Sequence, residues 1–298
     1  MVLDRFARDY YNASYEVVQI AWASDWEQTT DPLGILTAGC RPAGFLNYVL
    51  NTPLLNARSS NPQAGLCAQG FSAGSGGLGY ALTWYLDQNG NLLNTDLDNA
   101  ELTSGPVFSD IQQGCHSQGP GYNPPVLPIC YPGQQYACSP GTTGWSNQPV
   151  YIDTDLRWVQ AWTGNLSPAC NSGQNTATSD PKWKAMSILT GTGGSFTYPN
   201  LGMAGWLCAS SSPCTTECPN NSAAQGELFF NQFTSSSHPA GYILTGIINC
   251  NQGEGVADGT DPDPLPPGCT PGVNCTYQSG ETAITQHMEA QCKHPSPH

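Results

Sequence analysis

The chain has 298 residues, and its 8 Lys and Arg against 22 Asp and Glu give a formal net charge of −14. That balance excludes unassisted binding to nucleic acid or to an anionic membrane surface, since both need a basic footprint. Only 10% of residues are charged, against about 25% in an ordinary soluble domain, so Ser, Thr, Asn, Gln and Gly must build much of the surface.

In chain order, residues 3–11 read as an amphipathic helix. Residues 15–22 are an apolar, β-rich run, and the expectation is a buried strand. A second helix is expected within 33–50, with Pro42 in its first turn. A short strand over 65–71 runs into a helix over 72–86, where Leu78, Ala81, Leu82 and Tyr85 share one face. Strands follow at 100–108, 183–189 and 241–248, with a short helix at 155–164 and a closing helix at 281–292. Residues 225–233 are read as helix or strand, and 251–278 as an acidic, Pro-rich stretch. Alternating strands and helices predict an α/β protein: a mostly parallel central sheet with helices on both faces. No clean break divides the chain, so residues 1–298 are taken as a single domain, with Cys-rich loop insertions near 112–150 and 207–222. No stretch is apolar over the ~18 residues or more that a membrane span requires.

Thirteen cysteines without a C-x2-C pair, set in loops rich in Pro, Gly and Asn, read as a disulfide framework. A zinc site is the rival reading, and spacing alone does not give the pairing. The expected location is therefore secreted, either extracellular or periplasmic. The opening residues lack a signal-peptide pattern and read as the middle of a helix, so the expectation is an N-terminus from which upstream residues have been lost.

The most informative run is Gly70-Phe71-Ser72-Ala73-Gly74. It fits G-x-S-x-G and lies between an expected strand and an expected helix, the context of a nucleophile elbow. Small residues two positions either side let the backbone double back, so that the Ser72 hydroxyl stands at the carboxyl end of the strand. The N–H of Ala73, at a helix start, is placed to hold a developing oxyanion. The plainer alternative is a Gly-rich strand-to-helix turn.

On these residues the chain resembles the α/β-hydrolase fold, and within it the secreted esterases and polyester depolymerase-like hydrolases. The resemblance spans roughly residues 3–292, and the elbow is its specific motif. It implies that residues 15–22, 65–71, 100–108, 183–189 and 242–248 are the fourth to eighth strands. It also implies that the first three strands, and the loop giving a second oxyanion donor, lie upstream of Met1. The family places an acid after the seventh strand and a His after the eighth. Here residues 190–198 hold no carboxylate, and 249–256 hold Glu254 but no His. Some members take the acid from after the sixth strand, which points to Asp110 as orienter and His116 as base, six positions apart. A loop histidine beside Cys115 and a strand-terminal cap are the plainer readings of that pair. His287 is read as a surface or interface residue, His238 as lying at the amino end of the sheet, and His294 and His298 as solvated.

The expected function is a secreted serine hydrolase that cleaves carboxylic esters through an acyl-enzyme on Ser72. Ala73 would hold the oxyanion, and Asp110 with His116, or a group near Glu254, would manage the proton. The substrate would be a small-molecule or polymeric ester, with no cofactor, no metal and no nucleic acid. The alternative is a hydrolase-fold protein with a degraded triad, serving as an extracellular binding or structural module.

Rival motifs are weaker. Residues 74–79 also spell G-x-G-x-x-G, but no carboxylate follows at the spacing a dinucleotide site needs. Asn94-Thr-Asp96-Leu-Asp98 and Asp258-Gly-Thr-Asp261-Pro-Asp263 offer calcium-like oxygens, or plain acidic turns. Sequons stand at Asn12, Asn165, Asn220 and Asn274. Loop aromatics such as Trp145, Trp158 and Trp162 suit either a substrate cleft or loop packing.

Overall fold

The computed structural model describes residues 2–23, 26–27, 29, 34–71, 73–103, 185–188, 201–209, 229, 243–249 and 280–292. Among them are six α-helices, a short 3-10 helix at Leu93–Thr95 and four strands. Helix α1 is Val2–Asn12, α2 Ile35–Ala38, α3 Cys40–Asn51 and α4 Pro53–Ser60. Strand β1 is Cys67–Phe71, followed directly by α5, Ala73–Trp84. Strands β2, Asn99–Thr103, β3, Gly202–Ala209, and β4, Ile243–Asn249, follow, and α6, Gly280–Gln291, comes last.

The strands form one sheet in the order β1-β2-β3-β4, and every pairing is parallel. Parallel neighbours need crossovers that cover the sheet faces, which puts this architecture in the α/β class. Phe71 pairs with Thr103, and Thr103 with Trp206, so the carboxyl ends of β1 and β2 lie side by side.

Strand alternation sorts the residues onto two faces. Ala100 and Leu102 join a buried cluster with Leu78, Ala81 and Leu82 of α5, and with Leu46 of α3. Asn99 and Glu101 point the other way and bond α6, through Met288 and His287. Helix α1 packs beside α6. Helices thus cover both faces. On the α5 face Tyr80 is fully buried, and its hydroxyl donates to the Met186 carbonyl at 2.6 Å. On the α6 face a disulfide joins Cys67, the first residue of β1, to Cys292, just past the end of α6.

Several expectations hold. Helix α1, the β1–α5 unit, β2, β4 and α6 fall where the sequence placed them, and Pro42 lies in the first turn of α3. Three do not. Residues 15–22 form no strand, and Val17, Val18 and Trp22 are exposed. Of the strand expected over 183–189, the described residues 185–188 are not extended: Ala185 and Met186 are helical, Ser187 bends and Ile188 turns. The third strand is instead Gly202–Ala209, whose last three residues overlap the loop expected at 207–222. Helix α4 was not anticipated, although Pro53 at its first position is a start signal. The expected loop at 112–150, the helix at 155–164 and the stretch at 251–278 lie outside the described residues.

Candidate functional site

Where β1 turns into α5, the backbone folds back on itself. A Cβ placed on Gly70 would overlap the Gly74 carbonyl oxygen and meet its carbon at 2.7 Å and the Ser75 nitrogen at 2.8 Å. No side chain fits there, so glycine at 70 is a steric requirement. A Cβ on Gly74 would meet nothing within 4 Å. Of the two flanking glycines, only the first is demanded by packing. Gly77 lets α5 lie close to its neighbours: a Cβ there would touch Pro42 and Trp26 at 3.3 Å.

Ser75, fully buried in the first turn of α5, braces this turn from beneath. Its hydroxyl oxygen lies 2.8 Å from the Gly70 carbonyl and 2.9 Å from the Thr103 carbonyl. One proton serves both acceptors in turn. The bond ties the helix start to its own strand and to the carboxyl end of the neighbouring one.

Of the residues expected to carry chemistry, Ala73 is the first residue of α5, at the positive end of the helix dipole. Ser72 stands between Phe71 and Ala73 in the chain but lies outside the described residues, as do Asp110, His116 and Glu254. The calcium-like run at 94–98 is partly committed to the fold, because the buried Asn94 amide donates to the Leu82 carbonyl at 3.0 Å.

The α6 face of the sheet holds a polar cluster that no sequence pattern marked. Glu101, in the middle of β2, is fully buried. His287 Nδ1 lies 2.8 Å from its Oε1, and Asn99 Nδ2 3.3 Å from the same oxygen. Trp206 Nε1 donates to Oε2 at 3.0 Å. Burial raises the Glu101 pKa, and hydrogen bonding and charge from His287, then the bonds from Trp206 and Asn99, pull it partly back. His287 is therefore mostly enclosed and bonded to the sheet, and the expectation of a surface residue is corrected. Its ring also meets Trp206 edge-on, with centroids 5.8 Å apart. A second chain of contacts runs alongside. The Tyr10 hydroxyl donates to Gln69 Oε1 at 2.7 Å, and Gln69 Nε2 lies 3.4 Å from Thr103 Oγ1. Burial, followed by the charge on Glu101, raises the Tyr10 pKa far above the ordinary phenol range. Residues 100–108 read simply as a strand, with the two faces left unsorted. Alternation within residues 99–103 (Asn, Ala, Glu, Leu, Thr) was the available signal, since it puts three polar side chains on one face.

No family model, no curated protein and no solved structure matches the chain. Among the described residues, no helix is long and apolar enough to cross a membrane.

Proposed function

We propose that this chain is a secreted serine hydrolase of the α/β-hydrolase type that cleaves carboxylic esters through an acyl-enzyme on Ser72. The observation that carries this reading is that the Gly74 backbone excludes any side chain at Gly70, where β1 gives way to α5. Such a kink lifts a nucleophile from the carboxyl end of a strand and leaves the helix N-terminus to meet the oxyanion. The parallel order β1-β2-β3-β4 also supports it, because it fits a run of fifth to eighth strands with β3 in seventh place. That shift moves the family's acid position to the segment after Ala209, where Glu217 is the first carboxylate in the sequence. Asp110 and Glu217 are then the two acids to test, with His116 as base and Glu254 as the other proton-handling group.

The cysteine content and the Cys67–Cys292 bridge support an oxidising compartment. The alternative, an inactive hydrolase-fold binding or structural module, draws support from His287, whose Nδ1 is committed to Glu101.

Hydrolysis of p-nitrophenyl butyrate by the wild type and by Ser72→Ala decides between them. The expected result is a loss of about 10⁴-fold or more in kcat, together with labelling of Ser72 by a fluorophosphonate. Equal rates for the two proteins would overturn the enzyme reading.

A further inference from the structure

We infer that Ser75 is a positioning residue for this ester hydrolysis, acting by clamping the turn that carries Ser72. The inference rests on the function proposed above and names a residue that the motif does not. Ser75 is fully buried, so its hydroxyl serves no solvent contact. It reaches back five residues to the Gly70 carbonyl and across to Thr103 on β2. The bond to Gly70 closes a ring whose covalent arc contains positions 72 and 73. The bond to Thr103 fixes that ring against the next strand. Within it, the Gly74 backbone leaves no room for a side chain at position 70.

The chemical consequence follows from the tolerance of oxyanion holes. A donor helps only at about 2.7–3.1 Å from where charge develops, and misplacement of about 1 Å costs on the order of 100-fold. The Ala73 N–H opens α5, so any shift of that first turn moves the donor and the neighbouring serine together. An interaction that serves only the developing oxyanion falls on kcat rather than KM when it is lost.

The test is Ser75→Ala assayed with p-nitrophenyl butyrate beside a control. Tyr85→Phe is that control: it removes a hydroxyl bonded to the Leu36 and Thr37 carbonyls, just beyond the far end of α5. S75A is expected to lower kcat about 10-fold with KM within about twofold, and to slow fluorophosphonate labelling of Ser72 in parallel. Ser75→Thr, which keeps the hydroxyl, should recover much of kcat. Y85F should lose stability and keep kcat. Should S75A fail to fold, Ser75→Cys carries the test, since a thiol keeps the volume and donates weakly. Wild-type kcat in a folded S75A or S75C that still labels would overturn the clamp alone. A wild-type protein that neither hydrolyses the ester nor labels would overturn the hydrolase reading, and the clamp with it.

Discussion

Glycine at 70 and glycine at 74 look equivalent in a pentapeptide pattern, yet they stand in opposite surroundings. A Cβ on Gly70 would run into the Gly74 and Ser75 backbone, and backbone cannot swing aside as a side-chain tip does. Gly70→Ala is therefore expected to destabilise the fold by about 3 kcal/mol, the upper range for forcing volume into a packed site. Gly74 sits in a helix with open space at its Cβ. Gly74→Ala should be neutral or add about 0.5 kcal/mol, because alanine loses less backbone freedom on folding. Urea denaturation of the two variants checks the contrast, and equal losses would contradict it. At this scale the site was half legible. The turn announced itself through local spacing, which a linear pattern can hold. The Glu101–His287 pair spans 186 positions and depends on which helix covers which face, so no local pattern could supply it.

Strand and helix assignments failed where composition and environment diverge. Residues 15–22 carry Val, Ile, Tyr and Trp, but no described strand pairs with them, and several of their side chains meet solvent. Strand propensity expresses fit to a pleated, half-buried surface, and it has no force without that surface. Strand β3 shows the reverse. Its Gly and Ala residues carry little propensity, yet position 202 must be small: a Cβ on Gly202 would meet Asn99 Oδ1 at 2.8 Å. Residues 183–189 read as a strand by composition, but of them the described residues 185–188 run from helix into a turn, with Met186, Ser187 and Ile188 buried and the Met186 carbonyl accepting from Tyr80. The β1–α5 unit was legible because strand, kink and helix are contiguous. Helix α6 depends on long-range ties instead. Only part of it is apolar, with Ile284 and Met288 buried, and the disulfide closes a separation of 225 residues. Replacing both Cys67 and Cys292 by Ser should cost about 2–5 kcal/mol. It should also speed amide exchange in 280–291 more than in α5. Unchanged exchange in α6 would show that packing alone holds it.

Across the whole molecule, an excess of 22 acidic over 8 basic residues makes stability a function of pH. Self-repulsion among carboxylates weakens the compact state as they ionise. Glu101 adds a directed contribution. Burial raises its pKa above the ordinary value of 4.5, so the folded chain holds that proton more tightly than the unfolded chain does. Stability from this group is fully present below about pH 4.5 and is lost as pH rises through the raised folded value. The slope for one such proton is at most about −1.4 kcal/mol per pH unit. Asp96 acts in the same direction, raised by burial and then by the charge on Asp87. Asp87 acts oppositely: desolvation raises its pKa, but the hydrogen bonds from Asn91 and Asn89 together outweigh it and lower the pKa. Its contribution is lost only as pH falls below 3.8, outside the window in which Glu101 titrates. Glu101→Gln keeps an acceptor for Trp206 and removes the charge. In urea titrations from pH 4.5 upward, the wild type should lose stability with rising pH, and E101Q should lose less per unit, retaining only what Asp96 and general repulsion supply. Parallel curves for the two proteins would mean that the buried carboxylate holds its proton equally well folded and unfolded, and that the cluster on the α6 face compensates fully for its burial.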